Sequence, residues 1–218
     1  MKHVGIWAGV IFITLAIFWG LIVYVNASPT VPSSVASVMS PKTVSENDIM
    51  LGSQDKAEAT LIEYADFQCS ACSAMSQFVQ QLHKDFGDKL LIVYRFFPLI
   101  NSHQNAMLSS QAAFAAYKQN KFWEMSELLY KNQSSWSYDN DAQKTFVDYA
   151  KKLNLDIDRF VSDYNAESTK EFINAQREEG TSIDILYAPS IFINGKLIEN
   201  FRDYETFKQA VQNAIDEK

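Results

Sequence analysis

The chain has 218 residues with 26 acidic and 19 basic side chains, so its formal net charge at pH 7 is -7 and its pI is about 5.0. This acidic balance, without a basic stripe, disfavours nucleic-acid binding. Hydrophobic residues make up 47% of the chain, which is ordinary for a globular protein. The length is sufficient for one substantial domain with appendages.

The chain begins with a long apolar run. No residue from Val4 to Val25 is charged, and as a helix this run would be roughly 33 Å long, enough to cross the core of a bilayer. Lys2 precedes the run and the next cation is Lys42, which favours an N-terminus inside and a C-terminus outside. We expect residues 1–27 to be a transmembrane anchor. A signal peptide cleaved after Ala27 is the alternative.

Residues 28–48 are rich in Ser, Pro, Thr and Val and lack the apolar spacing of a helix. This composition is typical of a flexible linker between a membrane segment and a folded domain. Residues 49–218 form the predicted domain. With either kind of N-terminal segment, this domain would lie outside the cytoplasm, in the periplasm or at the outer face of the cell membrane, where disulfides persist.

The two cysteines of the chain, Cys69 and Cys72, lie where a predicted strand ends and a predicted helix begins. Thiols at this spacing can form a small disulfide ring, and the unpaired amides at a helix start stabilise a thiolate. The pattern favours disulfide exchange. A structural disulfide is the alternative, although so short a loop restricts the unfolded chain little. Zinc needs about four ligands, and His3, His83 and His103 are not spaced as ligands, so we expect no metal.

The first predicted elements of the domain form a strand, a helix and a strand. Ala59–Phe67 is apolar without clean alternation, as in a strand that is covered on both faces. Apolar residues at three- and four-residue spacing extend the helix to Phe86, directly before Gly87. Leu90–Phe97 is the second strand. Two strands joined by a helix in this way form a right-handed parallel unit.

A helical insertion is predicted over residues from about 101 to 183. Its aromatic side chains recur at helical spacing and are expected to pack in a core. Asp156 is predicted to cap one of its helices, and His103 to be a surface or cap residue. Three aromatic residues could line a surface groove, although we expect them to pack: Trp123, Trp136 and Tyr138.

Strand signals return near the C-terminus. Ser190–Ile193 is apolar, and Asn194-Gly195 is a strong signal for a two-residue hairpin turn that leads into a returning strand, Lys196–Ile198. Asp203 is predicted to cap a final helix with one apolar face.

Several segments resemble the DsbA-like branch of the thioredoxin superfamily. They occur in the family's order and cover nearly everything from about residue 50 onward: EYADFQCSAC at Glu63–Cys72, FFPL at Phe96–Leu99, Asn105-Ala106, KFW at Lys121–Trp123 and APSIFING at Ala188–Gly195. The resemblance implies an α/β, thioredoxin-like fold, in which a central mixed β-sheet is flanked by helices and carries the helical insertion.

The resemblance also implies roles for single residues. Cys69 would be the exposed, attacking thiol and Cys72 the resolving thiol. Glu63 lies where the family has a buried acid, whose pKa is raised by desolvation and which exchanges protons with Cys72. Pro189 lies where the family has a cis proline facing the cysteines, with the backbone of Ala188 turned toward a bound peptide strand. The residues alone leave an exposed Glu63 and a trans Pro189 open.

Two positions of the active-site turn depart from the family pattern. Ser70 stands where proline is usual, and Ala71 stands where strong oxidants have histidine. Neither adds positive charge beside Cys69, which predicts a milder oxidant. Asp66 is expected to orient the turn rather than to react. Ala188 is smaller than the threonine or valine usual there, so the client preference stays open.

The sequence therefore predicts an extracytoplasmic, membrane-anchored thiol:disulfide oxidoreductase that donates its Cys69–Cys72 disulfide to unfolded secreted proteins. We expect no cofactor and a monomer. The resemblance implies a membrane redox partner, DsbB-like or equivalent, that reoxidises the protein. Two alternatives stay open. One is a reductase or isomerase kept reduced by a membrane donor, and the other is a membrane-tethered, peptide-binding chaperone module with an incidental disulfide.

Overall fold

A computed structural model describes residue 19, residues 39–199 and residues 203–217. Apart from Trp19, the predicted anchor or signal helix at residues 1–27 lies outside the described residues, as does the first half of the predicted linker. In the described part of the chain, no helix combines the length and the apolar character that a membrane span requires. The chain divides into two units, residues 1–37 and residues 38–218, and the second unit is the predicted domain with its preceding residues.

Five strands form one mixed sheet in the order β1-β3-β2-β4-β5. The two central strands, β2 (Ala59–Ala65) and β3 (Leu90–Phe96), run parallel. Each is flanked by an antiparallel partner, β1 (Ile49–Leu51) beside β3 and β4 (Ser190–Ile193) beside β2. The strand β5 (Lys196–Leu197) pairs with β4 at the edge.

Residues 39–199 and 203–217 also form eight α-helices. In chain order these are α1 (Ser70–Phe86), α2 (Ala106–Tyr117), α3 (Phe122–Lys131), α4 (Gln133–Trp136), α5 (Ala142–Lys152), α6 (Ile157–Asn165), α7 (Glu167–Ser182) and α8 (Tyr204–Asp216). The helices α2 to α7 lie between β3 and β4, inside the range predicted for the insertion.

The central strands are covered on both faces, as the sequence predicted. Leu61 of β2 belongs to an apolar cluster that includes Met75 of α1 and Phe207 of α8. Its neighbour Ile62 belongs to a second cluster, to which the helical insertion contributes residues such as Phe122. Since successive side chains of a strand point to opposite faces, β2 contributes to both cores.

The predicted element boundaries differ from the structure by one or two residues. The first predicted strand ends at Ala65 instead of Phe67, because the chain turns there toward α1, and the second ends at Phe96. The helix α1 ends at Phe86 as predicted, and Gly87 follows it with a φ of +53°. The short edge strand β1 was not predicted.

The turn and cap signals near the C-terminus are confirmed. Asn194 and Gly195 both have positive φ, 47° and 79°, as a two-residue hairpin turn requires. Asp203 and Asp156 each accept a hydrogen bond from the backbone N–H three residues further on, so both are side-chain caps. The returning strand ends at Leu197, one residue earlier than predicted.

The aromatic residues of the insertion pack as expected and do not form the alternative groove. The indole of Trp136 is fully buried, with its ring centroid 5.3 Å from that of Phe146. Trp123 is half-buried against both apolar clusters. Tyr138 alone of the three suggested groove residues is exposed.

The last residues of the predicted linker, residues 28–48, contact the domain. The backbone N–H of Lys42 donates to Glu179 at 2.9 Å. Asp48 is buried and forms an ion pair with Arg95 at 3.0 Å. Lys42 and Asp48 therefore both contact residues of the domain.

Candidate active site

A tight turn over residues 66–69 connects β2 to α1. Cys69 is the N-terminal cap residue of α1, with extended backbone angles (φ -76°, ψ 123°). Its N–H donates to the carbonyl of Asp66 at 3.1 Å, and its own carbonyl accepts from the N–H of Ser73 at 3.1 Å. Cys72 lies in the first turn of α1, and the sulfur of Cys69 is close to the backbone amides of Ala71 and Cys72 in that turn.

The two thiols are reduced in this structure and differ in exposure. Cys69 keeps 9% of its surface exposed, whereas Cys72 keeps none. The resemblance predicts a more exposed Cys69. Its exposure is small because the carbonyl of Ala188 lies against the sulfur and accepts its S–H at 3.3 Å. Cys69 remains the member of the pair that an incoming sulfur can reach.

The surroundings of Cys69 stabilise its thiolate and lower its pKa to about 6. The largest cause is a hydrogen bond from the thiol of Cys72, and the backbone amides of Cys72 and Ala71 contribute as well. Burial of the sulfur and the negative charge of Asp66 act in the opposite direction. The sequence predicted the amides of the helix start as the source of stabilisation. The structure places the Cys72 thiol ahead of them.

Glu63 is buried in the sheet, as the resemblance implied, with 3% of its surface exposed. It lies on β2 opposite Tyr94 of β3 and Ile191 of β4. Burial raises its pKa to about 8, and the charge of Cys69 adds to this effect. Among the described residues, its Oε1 atom has no hydrogen-bond partner. The protonated acid is therefore the favoured form at neutral pH.

Cys72 has the opposite protonation preference from Cys69. Burial raises the pKa of the Cys72 thiol well above its ordinary value, and the charges of Cys69 and Glu63 raise it further. The pair therefore consists of one sulfur that is stable as an anion and one that is stable as a thiol. This asymmetry is what disulfide exchange requires of an attacking and a resolving cysteine.

The loop before β4 faces Cys69. The Ala188–Pro189 peptide bond is cis, as the resemblance implied. The hydroxyl of Ser190 donates to the carbonyl of Tyr187 at 2.8 Å. Leu186 and Tyr187 are exposed, with 84% and 53% of their surfaces open to solvent. The loop thus brings apolar surface and backbone to the neighbourhood of the thiols.

Side chains of the helical insertion fix the active-site turn from the other side. Gln133 donates to two carbonyls of the turn, at 2.7 and 3.0 Å. Gln68 donates to the carbonyl of Ser137 at 2.8 Å and accepts from the N–H of Asn105 at 2.7 Å. None of these contacts was predicted, because an isolated polar residue far along the chain gives no periodic signal.

Asp66 is the fully buried centre of the turn. Its carboxylate accepts from the N–H groups of Gln68 at 2.7 Å and Leu99 at 2.9 Å. His103 Nδ1 lies 2.7 Å from the same carboxylate. These contacts agree with the orienting role expected of Asp66. His103, which we expected to be a surface or cap residue, instead contacts the turn.

The remaining residues between the cysteines, Ser70 and Ala71, are exposed. In the ranges 39–199 and 203–217, no three His, Cys, Asp or Glu side chains are grouped so that they could hold a metal ion. The groups that the site does bring together are two thiols of opposite preference, a buried acid and an open backbone segment. They can exchange a sulfur–sulfur bond and move a proton.

The thioredoxin family model matches residues 44–213, most of the chain and all of this site. The chain belongs to the thioredoxin family.

The curated relatives of this chain are longer proteins. "Na(+)/H(+) antiporter NhaA 1" of Mycolicibacterium gilvum is 33% identical over 153 residues, which are 69% of this chain and 24% of the relative. "Na(+)/H(+) antiporter NhaA" of Herminiimonas arsenicoxydans is 26% identical over 93% of this chain and 31% of the relative. The chain thus spans about a quarter to a third of their length.

Solved structures with the same fold are DsbA-like proteins. BdbD from Bacillus subtilis has a TM-score of 0.71 and 20% identity, with 83% of this chain and 98% of BdbD covered. The α-DsbA1 of Wolbachia pipientis has a TM-score of 0.69, 21% identity and coverages of 80% and 94%. MdbA, a thiol-disulfide oxidoreductase from Corynebacterium diphtheriae, has a TM-score of 0.64, 19% identity and coverages of 82% and 94%. The predicted thioredoxin-like fold of the DsbA-like type is confirmed.

Proposed function

We propose that the protein is an extracytoplasmic, membrane-anchored thiol:disulfide oxidoreductase that introduces disulfides into unfolded secreted proteins. The observation that supports this most strongly is the asymmetry of the cysteine pair. The pKa of Cys69 is lowered to about 6, whereas that of Cys72 is raised well above its ordinary value. A stabilised thiolate favours the reduced form of the protein, so its disulfide tends to pass to another dithiol.

Oxidation of a client takes two exchange steps. A client thiolate attacks the sulfur of Cys69, the Cys69–Cys72 bond breaks, and its electron pair leaves on Cys72, which takes a proton from Glu63. A second client thiolate then attacks the client sulfur of the mixed disulfide, and Cys69 leaves as its stable thiolate. The client has lost two electrons and gained a disulfide. Of its two protons, one replaces the proton of Glu63 and the other is released to solvent.

The loop before β4 supplies the surface on which a client would lie. An extended client segment could pair with the backbone of Ala188, next to the cis Pro189. Leu186 and Tyr187 would contact apolar client side chains, because both are exposed beside this backbone. Unfolded proteins expose such side chains and folded ones bury them. The site therefore fits unfolded clients.

A membrane redox partner, DsbB-like or equivalent, would reoxidise Cys69 and Cys72 after each cycle. The anchored, extracytoplasmic location is supported by the uncharged run Val4–Val25 and by Lys2 before it. It also agrees with the names of the curated relatives, which describe an antiporter, a class of membrane transport protein. We propose that the protein acts as a monomer.

The strength of the oxidant is predicted to be moderate. The Cys69 pKa of about 6 lies between the values of about 7 for thioredoxin and about 3.5 for DsbA. Ser70 and Ala71 add no positive charge beside the thiolate. This intermediate value makes a reductase or isomerase, which runs the same exchange in the opposite direction, the second candidate function.

Client oxidation tests the proposal directly. Oxidised protein is mixed with a reduced, unfolded client, and the loss of client thiols and the gain of client disulfide are followed by alkylation and mass spectrometry. Stoichiometric transfer by the wild type and none by Cys69→Ala is the expected result. Absence of transfer by the wild type, or full transfer by Cys69→Ala, would rule out the proposed activity.

The redox state in cells separates the two directions of exchange. Rapid acid quenching followed by alkylation should find Cys69 and Cys72 mainly as the disulfide if the protein is an oxidase. A mainly reduced pair would instead support the reductase or isomerase. A chaperone module with an incidental disulfide predicts client binding that is unchanged when both cysteines are replaced.

A further inference from the structure

A buried negative charge lies close to the reactive thiol. The carboxylate of Asp66 is completely buried, and its charge raises the pKa of Cys69 against the stabilising hydrogen bonds. Its two oxygens also fix the N–H groups of Gln68 and Leu99. The same carboxylate thus orients the turn that carries Cys69 and disfavours the thiolate that the turn presents.

His103 is placed to counteract this charge. Its Nδ1 atom lies 2.7 Å from Asp66 Oδ2, and its side chain is 24% exposed while that of Asp66 is fully buried. The backbone around His103 is also fixed, because its N–H donates to the carbonyl of Leu99 at 2.9 Å. The imidazole therefore approaches the buried carboxylate from the solvent side and donates a hydrogen bond to it.

Two other charged residues, Arg177 and Asp139, lie on described segments that border this loop. Arg177 of α7 lines a cavity of about 270 Å³ that borders the loop at Ser102. The backbone carbonyl of Asp139 accepts a hydrogen bond from the side chain of Asn105 at 2.9 Å. The group in hydrogen-bond contact with His103 is Asp66 from the end of β2.

We propose that His103 is a positioning residue of the active site, which acts through Asp66 to set the stability of the Cys69 thiolate and therefore the redox potential of the cysteine pair. By donating to Asp66, His103 draws its negative charge away from Cys69 and holds the carboxylate on its two amide partners. Loss of the donor leaves a less compensated charge beside the thiolate. The inference rests on the proposed function, since a redox potential matters only if the pair exchanges disulfides.

The test compares His103→Leu, which removes the donor, with His103→Asn, whose amide nitrogen can replace Nδ1 as donor. Gln104→Leu is the matched control, because Gln104 is the exposed neighbour and its side chain bonds only to Asn140 at 3.1 Å in the described structure. Two quantities are measured on each purified protein: the thiolate titration of Cys69 by absorbance near 240 nm, and the equilibrium with a glutathione buffer. Thermal unfolding verifies that each variant is folded.

We expect His103→Leu to raise the pKa of Cys69 and to shift the glutathione equilibrium about tenfold toward the disulfide, or about 30 mV toward a weaker oxidant. His103→Asn should recover at least half of this shift, and Gln104→Leu should stay within twofold of the wild type. Wild-type values for a folded His103→Leu, or an equal shift in His103→Asn, would overturn the proposal.

A second measurement uses the wild-type protein and therefore does not depend on the folding of a variant. The ring-nitrogen NMR signals of His103 should move when the disulfide is reduced to the Cys69 thiolate, while those of His83 near the far end of α1 should stay. Unchanged His103 signals would also overturn the proposal. These measurements report on the pair itself and not on clients. A protein that shows the coupling but transfers no disulfide to a client would therefore refute the proposed function and not this inference.

Discussion

Two buried sites with ionisable side chains border neighbouring residues of β2, Tyr64 and Glu63, and differ in whether a cation lies beside the acid. On one face of β2 and β3, the guanidinium of Arg95 contacts Asp48 at 3.0 and 3.1 Å and Glu179 at 3.5 Å, and donates to the hydroxyl of Tyr64 at 3.0 Å. The residue before Tyr64 is Glu63, which faces the other side and whose pKa burial raises to about 8.

The comparison distinguishes buried acids that hold parts of the structure together from a buried acid that can exchange a proton. Asp48 and Glu179 contact the guanidinium of Arg95 and accept hydrogen bonds from hydroxyl and amide donors, and such a site fixes packing. Glu63 has no such surroundings in the described structure, so it is poised to take up or release a proton near neutral pH. Glu63 is thus an uncompensated acid that lies close enough to Cys72 for its charge to raise the pKa of that thiol.

The largest effect is expected when the compensated site loses its cation. Arg95→Met would leave Asp48 and Glu179 buried without their partner, which should lower the free energy of unfolding by about 3–5 kcal/mol. Urea denaturation of the variant and the wild type measures this loss of free energy. The matched control is Lys56→Met, which removes an exposed ion pair with Asp88 and should leave the midpoint unchanged. A loss for Arg95→Met as small as that of the control would contradict this account of the cluster.

In contrast to Arg95→Met, Glu63→Gln is expected to raise the free energy of unfolding. The pKa of Glu63 is raised from 4.5 to about 8 by folding, so its contribution to stability is fully present below about pH 4.5 and is lost as the pH rises through 8. At 1.36 kcal/mol per unit, the wild type should be about 3 kcal/mol less stable than Glu63→Gln at pH 7. Denaturation of both reduced proteins from pH 4.5 to 8.5 measures the difference. A gap that does not widen with pH would show that Glu63 is compensated after all.

A smaller effect is expected within the cysteine pair. Cys72→Ala removes the hydrogen bond that contributes most to the stability of the Cys69 thiolate, so the pKa of Cys69 should move up from about 6 toward its ordinary value. The rate of Cys69 alkylation as a function of pH measures this change. Ser73→Ala, at the next position of α1, is the control and should leave the titration in place. If Cys72→Ala titrates like the wild type, the amides of the helix start alone stabilise the thiolate.

The smallest effect is expected at the exposed turn. Ala71→His adds a group that can carry positive charge near Cys69, where solvent screens it. The glutathione equilibrium should shift several-fold, and less than tenfold, toward the dithiol. Ala71→Gln, of similar size and without charge, is the control. An equal shift in both variants would assign the effect to packing of the turn.

The sequence alone determined the features that depend on residues close together in the chain. The Cys69–Cys72 pair at a strand–helix junction, the end of α1 at Gly87, the Asn194-Gly195 turn and the Asp203 cap all follow from spacing, backbone preference and side-chain bonds over a few residues. The extracytoplasmic location is a proposal that rests on the sequence alone, on the uncharged run Val4–Val25 and on Lys2 before it. The burial of Glu63 and the cis Pro189 were inferred through the family resemblance.

Only the tertiary structure decided which buried charges have partners. Arg95 meets Asp48 and Glu179, which are 47 and 84 positions away in the chain, and His103 meets Asp66 across 37 positions. Such partners carry no local pattern, because their proximity arises from the packing of the insertion and of residues 42–48 on the sheet. The edge strand β1 was missed for a related reason, since three residues are too few for a periodic signal. Charge compensation is a property of the folded neighbourhood, so the sequence could locate the acids but not the groups that lie beside them.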